Sequence, residues 1–329
     1  MLKPSPRLLR FLLLSVLAFG ILVACNSQNA TPGRPLVVGS SPWPGFAGHY
    51  VALEKGFFQA QGVEVEDSYF QIATDVNTGL LADRLDLAWT GVPDMVVMAG
   101  QDPSLRLIML SDYSDGADGI LARGISSPQD LQGQNIAWES LPLQALLLRK
   151  YLESAGLSEQ DIRLQVIPAA EAASAFAANR IDVAVTYEPY LSNAAKEGQG
   201  EVIFTSKGTN IIPVGLVAKE SVIQSRKDEI AAFLKAIDQG VAFVRDNPTE
   251  AHEIVARKLG VTAEEVPALL ETVRIFNIAE NKSIVFNAND SLNVMDSLEF
   301  AAKTSQEIGL LPTPVDASEL YDASIVEGL

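Results

Sequence analysis

Cysteine is almost absent from this chain of 329 residues: Cys25 is its only one, and its two histidines are His49 and His252. A lone cysteine excludes an internal disulfide and a thiolate zinc site, and two histidines leave little for a His-rich metal centre. No cofactor and no metal are therefore expected. Basic residues are also scarce, with 24 Lys+Arg against 41 Asp+Glu. Lys3, Arg7 and Arg10 fall within the first 24 residues, which hold no carboxylate. From Cys25 onward 21 basic residues thus face 41 acidic ones, a formal charge of −20. Such a surface repels polyanions and disfavours nucleic-acid binding by phosphate neutralisation. Catalytic signatures are missing as well. The run Gly39-Ser40-Ser41-Pro42-Trp43 lacks the second glycine of a nucleophile elbow, no Gly-Lys-Ser/Thr phosphate loop occurs, and His252-Glu253-Ile254-Val255-Ala256 is one histidine short of a zinc-protease motif. Hydrophobic residues, by contrast, make up 48% of the chain, which excludes disorder of the low-hydrophobicity kind, and the length predicts two domains.

The N-terminus reads as an address. After the basic residues, Phe11 to Ala24 is an apolar run whose only polar member is Ser15, too short for a comfortable membrane span. It ends in Leu22-Val23-Ala24-Cys25, which resembles a bacterial lipobox. Residues 1–24 are expected to be a lipoprotein signal peptide and Cys25 the acylated anchor in an extracytoplasmic membrane face. Residues 25–35, polar and bearing Pro and Gly, then suit a flexible tether.

From Leu36 to about residue 219 short apolar strands alternate with helical stretches, a rhythm that predicts an α/β architecture with largely parallel sheets. Beyond Glu220, residues 228–246, 248–259, 263–274 and 290–308 read as amphipathic helices. One echo organises the middle of the chain. Arg84-Leu85-Asp86-Leu87-Ala88-Trp89-Thr90 recurs as Arg180-Ile181-Asp182-Val183-Ala184-Val185-Thr186, each copy after a strand and a helix. Two lobes of similar construction are implied. In open α/β sheets ligands bind beyond the carboxyl ends of the strands, so Trp89-Thr90-Gly91 and Thr186-Tyr187-Glu188-Pro189 become opposite walls of one cleft if the lobes face each other.

Several motifs occur in order: the lipobox, Gly39-Ser40-Ser41-Pro42-Trp43-Pro44-Gly45, Glu54-Lys55-Gly56-Phe57-Phe58, Asp86 to Gly91, Asp112-Tyr113-Ser114-Asp115-Gly116-Ala117-Asp118, Asp130-Leu131-Gln132-Gly133, and Thr186 to Pro189. Together they resemble the solute-binding proteins of ABC importers, in the branch with nitrate, taurine, alkanesulfonate and thiamine-pyrimidine binding proteins. The resemblance spans roughly residues 36–310. It implies a type II periplasmic-binding fold: lobe one from 36–122 and 211–329, lobe two from 123–210, two crossings as a hinge, and closure on the solute. It also implies a permease and an ATPase as partners, and a monomer.

The sulfonate-type relatives carry hydroxyl-rich turns where this chain reads Gln71-Ile72-Ala73-Thr74-Asp75 and Glu139-Ser140-Leu141-Pro142-Leu143. Hydroxyls are fewer and carboxylates have been added, which argues against an anion. The expected strand ends offer Asp115, Asp118, Glu139 and Glu188 beside Trp43, Trp89, Trp138 and Tyr187. Carboxylates beside aromatic faces suit a cation or an N–H-rich group. Candidate ligand contacts are Trp43, Trp89, Thr90, Ser114, Asp118, Glu139, Tyr187 and Glu188. Trp138 stands open between wall and core, Asp118 between site and hinge, and Glu188 between ligand group, helix N-terminal charge and interlobe latch. Asp115 reads as solvated, His49 as structural or as a cap on the ligand, and His252 as surface. The expected solute is a small cationic or zwitterionic nitrogen compound such as guanidine, an amidine or an amine. A thiamine-related pyrimidine comes second and an alkanesulfonate or nitrate third. Other classes remain: a tethered sensor, or an enzyme of the pyrimidine-synthesis type, for which the cysteine-rich motif is missing.

Overall fold

The computed structural model describes residues 34–329, so the signal segment, Cys25 and most of the tether lie outside the described residues. Among the described residues, eleven strands form two sheets: β1 (Leu36–Ser40), β2 (Val65–Tyr69), β3 (Leu87–Gly91), β4 (Leu105–Ser114), β5 (Asp118–Ala122), β6 (Asn135–Trp138), β7 (Arg163–Val166), β8 (Val183–Tyr187), β9 (Glu201–Thr205), β10 (Pro213–Lys219) and β11 (Val273–Ile275). Described helices of eight residues or more are α1 (Ala47–Glu54), α2 (Ala73–Leu81), α3 (Val92–Ala99), α4 (Pro142–Glu153), α5 (Ala169–Ala177), α6 (Tyr190–Gly198), α7 (Lys227–Asp246), α8 (Pro248–Leu259) and α9 (Val294–Glu307).

The first sheet runs β11-β4-β10-β3-β1-β2 and the second β7-β6-β8-β5-β9. The echo seen in sequence is an echo in topology. In each lobe the echoed strand lies parallel to one neighbour, β3 to β1 and β8 to β6, and antiparallel to another, β10 or β5. Alternation along the buried strands divides the core: Leu87 and Trp89 of β3 join a cluster with Tyr50 of α1 and Phe233 of α7, whereas Ala88 between them joins Met95 of α3 and Leu298 of α9. Helices thus cover both faces of the first sheet, which is mixed where largely parallel sheets were expected: β1 pairs parallel with β2 and β3, whereas β10 runs antiparallel to β3 and β4, and β11 antiparallel to β4.

Two more expectations shift. The second lobe was expected to start at residue 123, but β5 (Asp118–Ala122) pairs along its length with β8 and joins β9, so it belongs to the second sheet. The crossings are therefore Asp115–Ala117 and Ser206–Ile212. They are tied together by a 2.6 Å bond between the Ser114 and Ser206 hydroxyls and by the Gly116 amide, which donates to Ser206 Oγ at 2.8 Å. The stretch 263–274, read as one helix, holds a short helix at Val266–Leu270 and then β11, which pairs antiparallel with β4. Val273 and Ile275 are β-branched residues with a strand edge to join, and pairing there overrides helical periodicity.

Candidate functional site

The polypeptide turns of both sheets converge on one cleft. After β1, the loop Ser41-Pro42-Trp43 brings its indole inward, and a single 3-10 turn (Pro44–Phe46) adds the Phe46 ring. Trp43 is aimed by a buried carboxyl: its Nε1 donates to both oxygens of Asp112 at 3.1 Å, and Ser111 Oγ donates to Asp112 Oδ2 at 2.7 Å. Gly45 permits this approach, since a Cβ there would lie 1.9 Å from Asp112 Oδ2. Trp89, in the middle of β3, packs against Phe46 with ring centroids 5.5 Å apart. From the other lobe, Tyr187 at the end of β8 meets Trp43 edge to face at 6.1 Å and 69°. An edge-to-face pair across the lobes favours the closed arrangement.

These rings, with Thr90, Asn77, Asp94 and Asp118, line a partly open cavity of about 50 Å³, and the lining contains no lysine and no arginine. Thr90 is fixed by its hydroxyl, which donates to Asn77 Oδ1 at 2.6 Å. Asp94, in the first turn of α3, is 1% exposed, and its carboxyl oxygens make no hydrogen bond of good geometry, only the backbone amides of Leu143 and of Asp94 itself facing them loosely. Asp118, at the start of β5, is equally buried and leaves Oδ2 unpartnered. The Trp89 Nε1 and the Tyr187 hydroxyl are also buried without a partner. A buried polar atom left unpaired costs about 1–3 kcal/mol, so four such groups around one cavity leave bonding capacity unmet there.

Burial sets the charge of the site. It pushes the Asp118 carboxyl up to about 7, with Ser114 opposing and the Glu188 charge adding to the rise. The Asp94 carboxyl is driven well above the carboxylate range, chiefly by burial; the Leu143 backbone opposes this and the Glu139 and Asp118 charges reinforce it. Asp112 is pushed up to about 7 by burial against the bonds from Ser111 and Trp43. The Tyr187 phenol is held well above its usual range by burial and the Glu139 charge, and it stays neutral.

Of the eight candidate contacts, Trp43, Trp89, Thr90, Asp118 and Tyr187 line the cavity. Ser114, Glu139 and Glu188 do not, and each has other partners. Ser114 bonds Ser206 in the hinge. Glu188 accepts the Ser192 hydroxyl at 2.6 Å and the Ser192 amide at 3.2 Å, and so caps α6. Glu139 accepts amides from two helices. Trp138 is buried outside the lining, Asp115 is exposed, and His49 pairs with Asp67 at 3.1 Å away from the cavity. Asp94, Asn77 and Phe46 were not singled out by sequence. The one available signal for Asp94 is a carboxylate inside an otherwise apolar helix, Val92-Pro93-Asp94-Met95-Val96-Val97-Met98-Ala99, and it reads as a first-turn charge favoured by the helix dipole. Among the described residues no group of three or more His, Cys, Asp or Glu is arranged to hold a metal, and no helix is long and apolar enough to cross a membrane.

Comparison with known proteins agrees with this architecture. A Bacillus subtilis protein named for binding aliphatic sulfonates is 27% identical over 245 residues, 71% of this chain and 73% of its own length. The formylaminopyrimidine-binding protein of Halalkalibacterium halodurans is 23% identical over 253 residues, 73% of this chain and 76% of its own. In three dimensions the alkanesulfonate-binding protein SsuA from Xanthomonas axonopodis pv. citri, bound to MOPS, superposes with a TM-score of 0.74 at 16% identity, covering 89% of this chain and 99% of SsuA. The desulfurization enzyme DszB shares the fold too, with a TM-score of 0.64 at 16% identity, over 90% of this chain and 98% of its own. The fold alone therefore does not decide between binding and catalysis. Residues 43–251, more than half of the chain, match the NMT1/THI5-like family. The chain belongs to that family, as a two-lobed solute-binding protein of the ABC-importer type.

Proposed function

We propose that this protein captures a small nitrogen-containing solute, a cation or zwitterion of the guanidine, amidine or amine class, and delivers it to a permease and its ATPase. The observation that carries this reading is the pair of buried carboxyls, Asp94 and Asp118, with free oxygens in an aromatic cavity lined by no basic residue. A cation entering that space supplies the missing N–H donors and a counter-charge, and the indole faces of Trp43 and Trp89 add cation–π attraction of roughly 0.5–2 kcal/mol each. An anion meets two carboxyls and no cation there.

One observation favours a second reading, a neutral aminopyrimidine. A protonated Asp94 offers both a donor and an acceptor, which suits a ring nitrogen beside an exocyclic amine, and one relative is named for a formylaminopyrimidine. The two readings differ in pH dependence. The sign follows from Asp118: it is neutral below about pH 7 and ionised above. A cation therefore binds more tightly as pH rises through 7, by up to tenfold per unit on the acid side, whereas a neutral ring gains nothing from ionisation. Calorimetric titration of the purified protein with guanidinium, acetamidine, an aminopyrimidine and methanesulfonate, at pH 6 and pH 8, separates them. Tight methanesulfonate binding with no heat from the nitrogen compounds would sink both.

The anchor belongs to the same proposal. Acylation at Cys25 holds the body at the extracytoplasmic face near its permease, and Cys25→Ser should move the protein from the membrane fraction to the soluble one. Transport by a monomer is favoured over sensing by the kinship with binding proteins. A solute-dependent ATPase stimulation in vesicles carrying the permease tests that choice.

A further inference from the structure

Glu139 lies just outside the cavity, between the lobes. It follows β6 in lobe two and is 4% exposed. Its Oε1 accepts the Thr74 amide at 3.0 Å, in the first turn of α2 in lobe one. Its Oε2 accepts the Ala169 amide at 3.0 Å, the first residue of α5 in lobe two. Two nine-residue helices from opposite lobes thus point their N-terminal ends at one carboxylate. The loop that delivers it is built for the purpose: Ser140 takes a positive φ of 66°, and the Glu139 amide donates to the buried Gln144 side chain at 2.8 Å, which fixes the backbone while Pro142 starts α4. Burial raises the Glu139 carboxyl above its usual range, and what opposes that rise is the Thr74, Ala169 and Ala73 amides and the Thr74 side chain rather than a lysine or arginine.

A helix N-terminus carries about half a positive charge and free N–H groups, and two that converge make a ready site for a small oxyanion. Here the chain fills that site with its own side chain. We infer that Glu139 is a tethered counter-anion that excludes anionic solutes from the helix ends and latches the two lobes. An external sulfonate or sulfate would have to displace a carboxylate that is covalently held in place, and would meet its charge while doing so. The same two bonds join α2 to α5 across the cleft, so the carboxylate also favours the closed form before any solute arrives. This deepens the proposed specificity for nitrogen compounds and rests on it for the choice of solute, though the anion probes below do not depend on it.

The test uses the full-length chain in detergent, with methanesulfonate and sodium sulfate as probes and sodium chloride at matched ionic strength as control. Wild type should show no saturable heat with either anion. Glu139→Ala, which empties the space and leaves both helix ends free, should bind methanesulfonate at least tenfold more tightly than wild type. Small-angle scattering should show a larger radius of gyration for unliganded Glu139→Ala, and for Glu139→Gln, whose amide group can accept from one helix only. Circular dichroism and melting verify that each variant is folded; should the Ala variant not fold, the Gln variant's scattering decides the latch. A folded variant with unchanged anion affinity and unchanged dimensions overturns the inference. So does tight methanesulfonate binding by wild type that the Ala variant loses. If the anion gain appears while guanidinium and amidine compounds fail to bind wild type, the latch stands and the solute reading falls.

Discussion

Asp94 and Asp118 are costly residues in the empty protein. Each is buried without a cation, and the structure stabilises neither charge. For Asp118 the direction of the pH effect is fixed: its folded value of about 7 lies above the unfolded value near 3.9, so its protonated form supports the fold at low pH. That support is lost as pH rises from about 4 through 7. Asp118→Asn should therefore melt several degrees above wild type at pH 8 without solute and about equally at pH 4, while losing tenfold or more in affinity for a cation. A variant that gained no stability at pH 8 would contradict the burial argument. Trp43→Ala should weaken binding as well, by about 1–3 kcal/mol, because it removes a cavity wall and leaves the buried Asp112 without its indole donor. Titration calorimetry reads that loss directly. Much of the site's lining was legible in sequence, because Trp43 follows β1 and Trp89, Thr90 and Tyr187 lie toward the carboxyl ends of β3 and β8, where α/β sheets present side chains to a cleft. Asp94 was not, since a carboxylate in a helix's first turn has a sufficient reason to be there without any solute. Glu188 was left open between ligand group, helix N-terminal charge and latch, and its bonds to Ser192 at the start of α6 fit the second of these.

At the scale of elements, the echo around Asp86 and Asp182 carried more than either copy alone. It located β3 and β8, and with them the equivalent positions of two sheets. The short β11 escaped because three residues cannot display a period of two, and its pairing with β4 is a tertiary fact. The lobe boundary moved for a similar reason: nothing local to Asp118–Ala122 states which sheet the strand will join. Closure depends on one small residue at an element's end. A Cβ on Gly91 would lie 2.7 Å from Leu143 Cδ2 of the opposite lobe and 2.4 Å from Asp94 Oδ2. Gly91→Val should therefore hold the lobes apart and displace Asp94, with a solute affinity at least tenfold weaker and little change in far-ultraviolet circular dichroism. Retained affinity would show that α4 need not approach β3 so closely.

On the scale of the whole molecule, the acidic balance of the sequence is mostly a property of the surface. The few informative carboxylates are those withdrawn from it: Asp94 and Asp118 left open to the cavity, Asp112 spent on aiming Trp43, and Glu139 spent on two helix ends. Together they describe a cleft that supplies hydrogen-bond acceptors and aromatic faces and holds no positive side chain. The most direct measurement is the proton balance of binding, obtained from calorimetric titrations of guanidinium and amidine compounds in buffers of different ionisation enthalpy between pH 6 and pH 8. Release of up to one proton per bound solute at pH 6, fading toward pH 8 as affinity rises, is the predicted result. Proton uptake on binding, or tight binding of methanesulfonate with none of the nitrogen compounds bound, would contradict it.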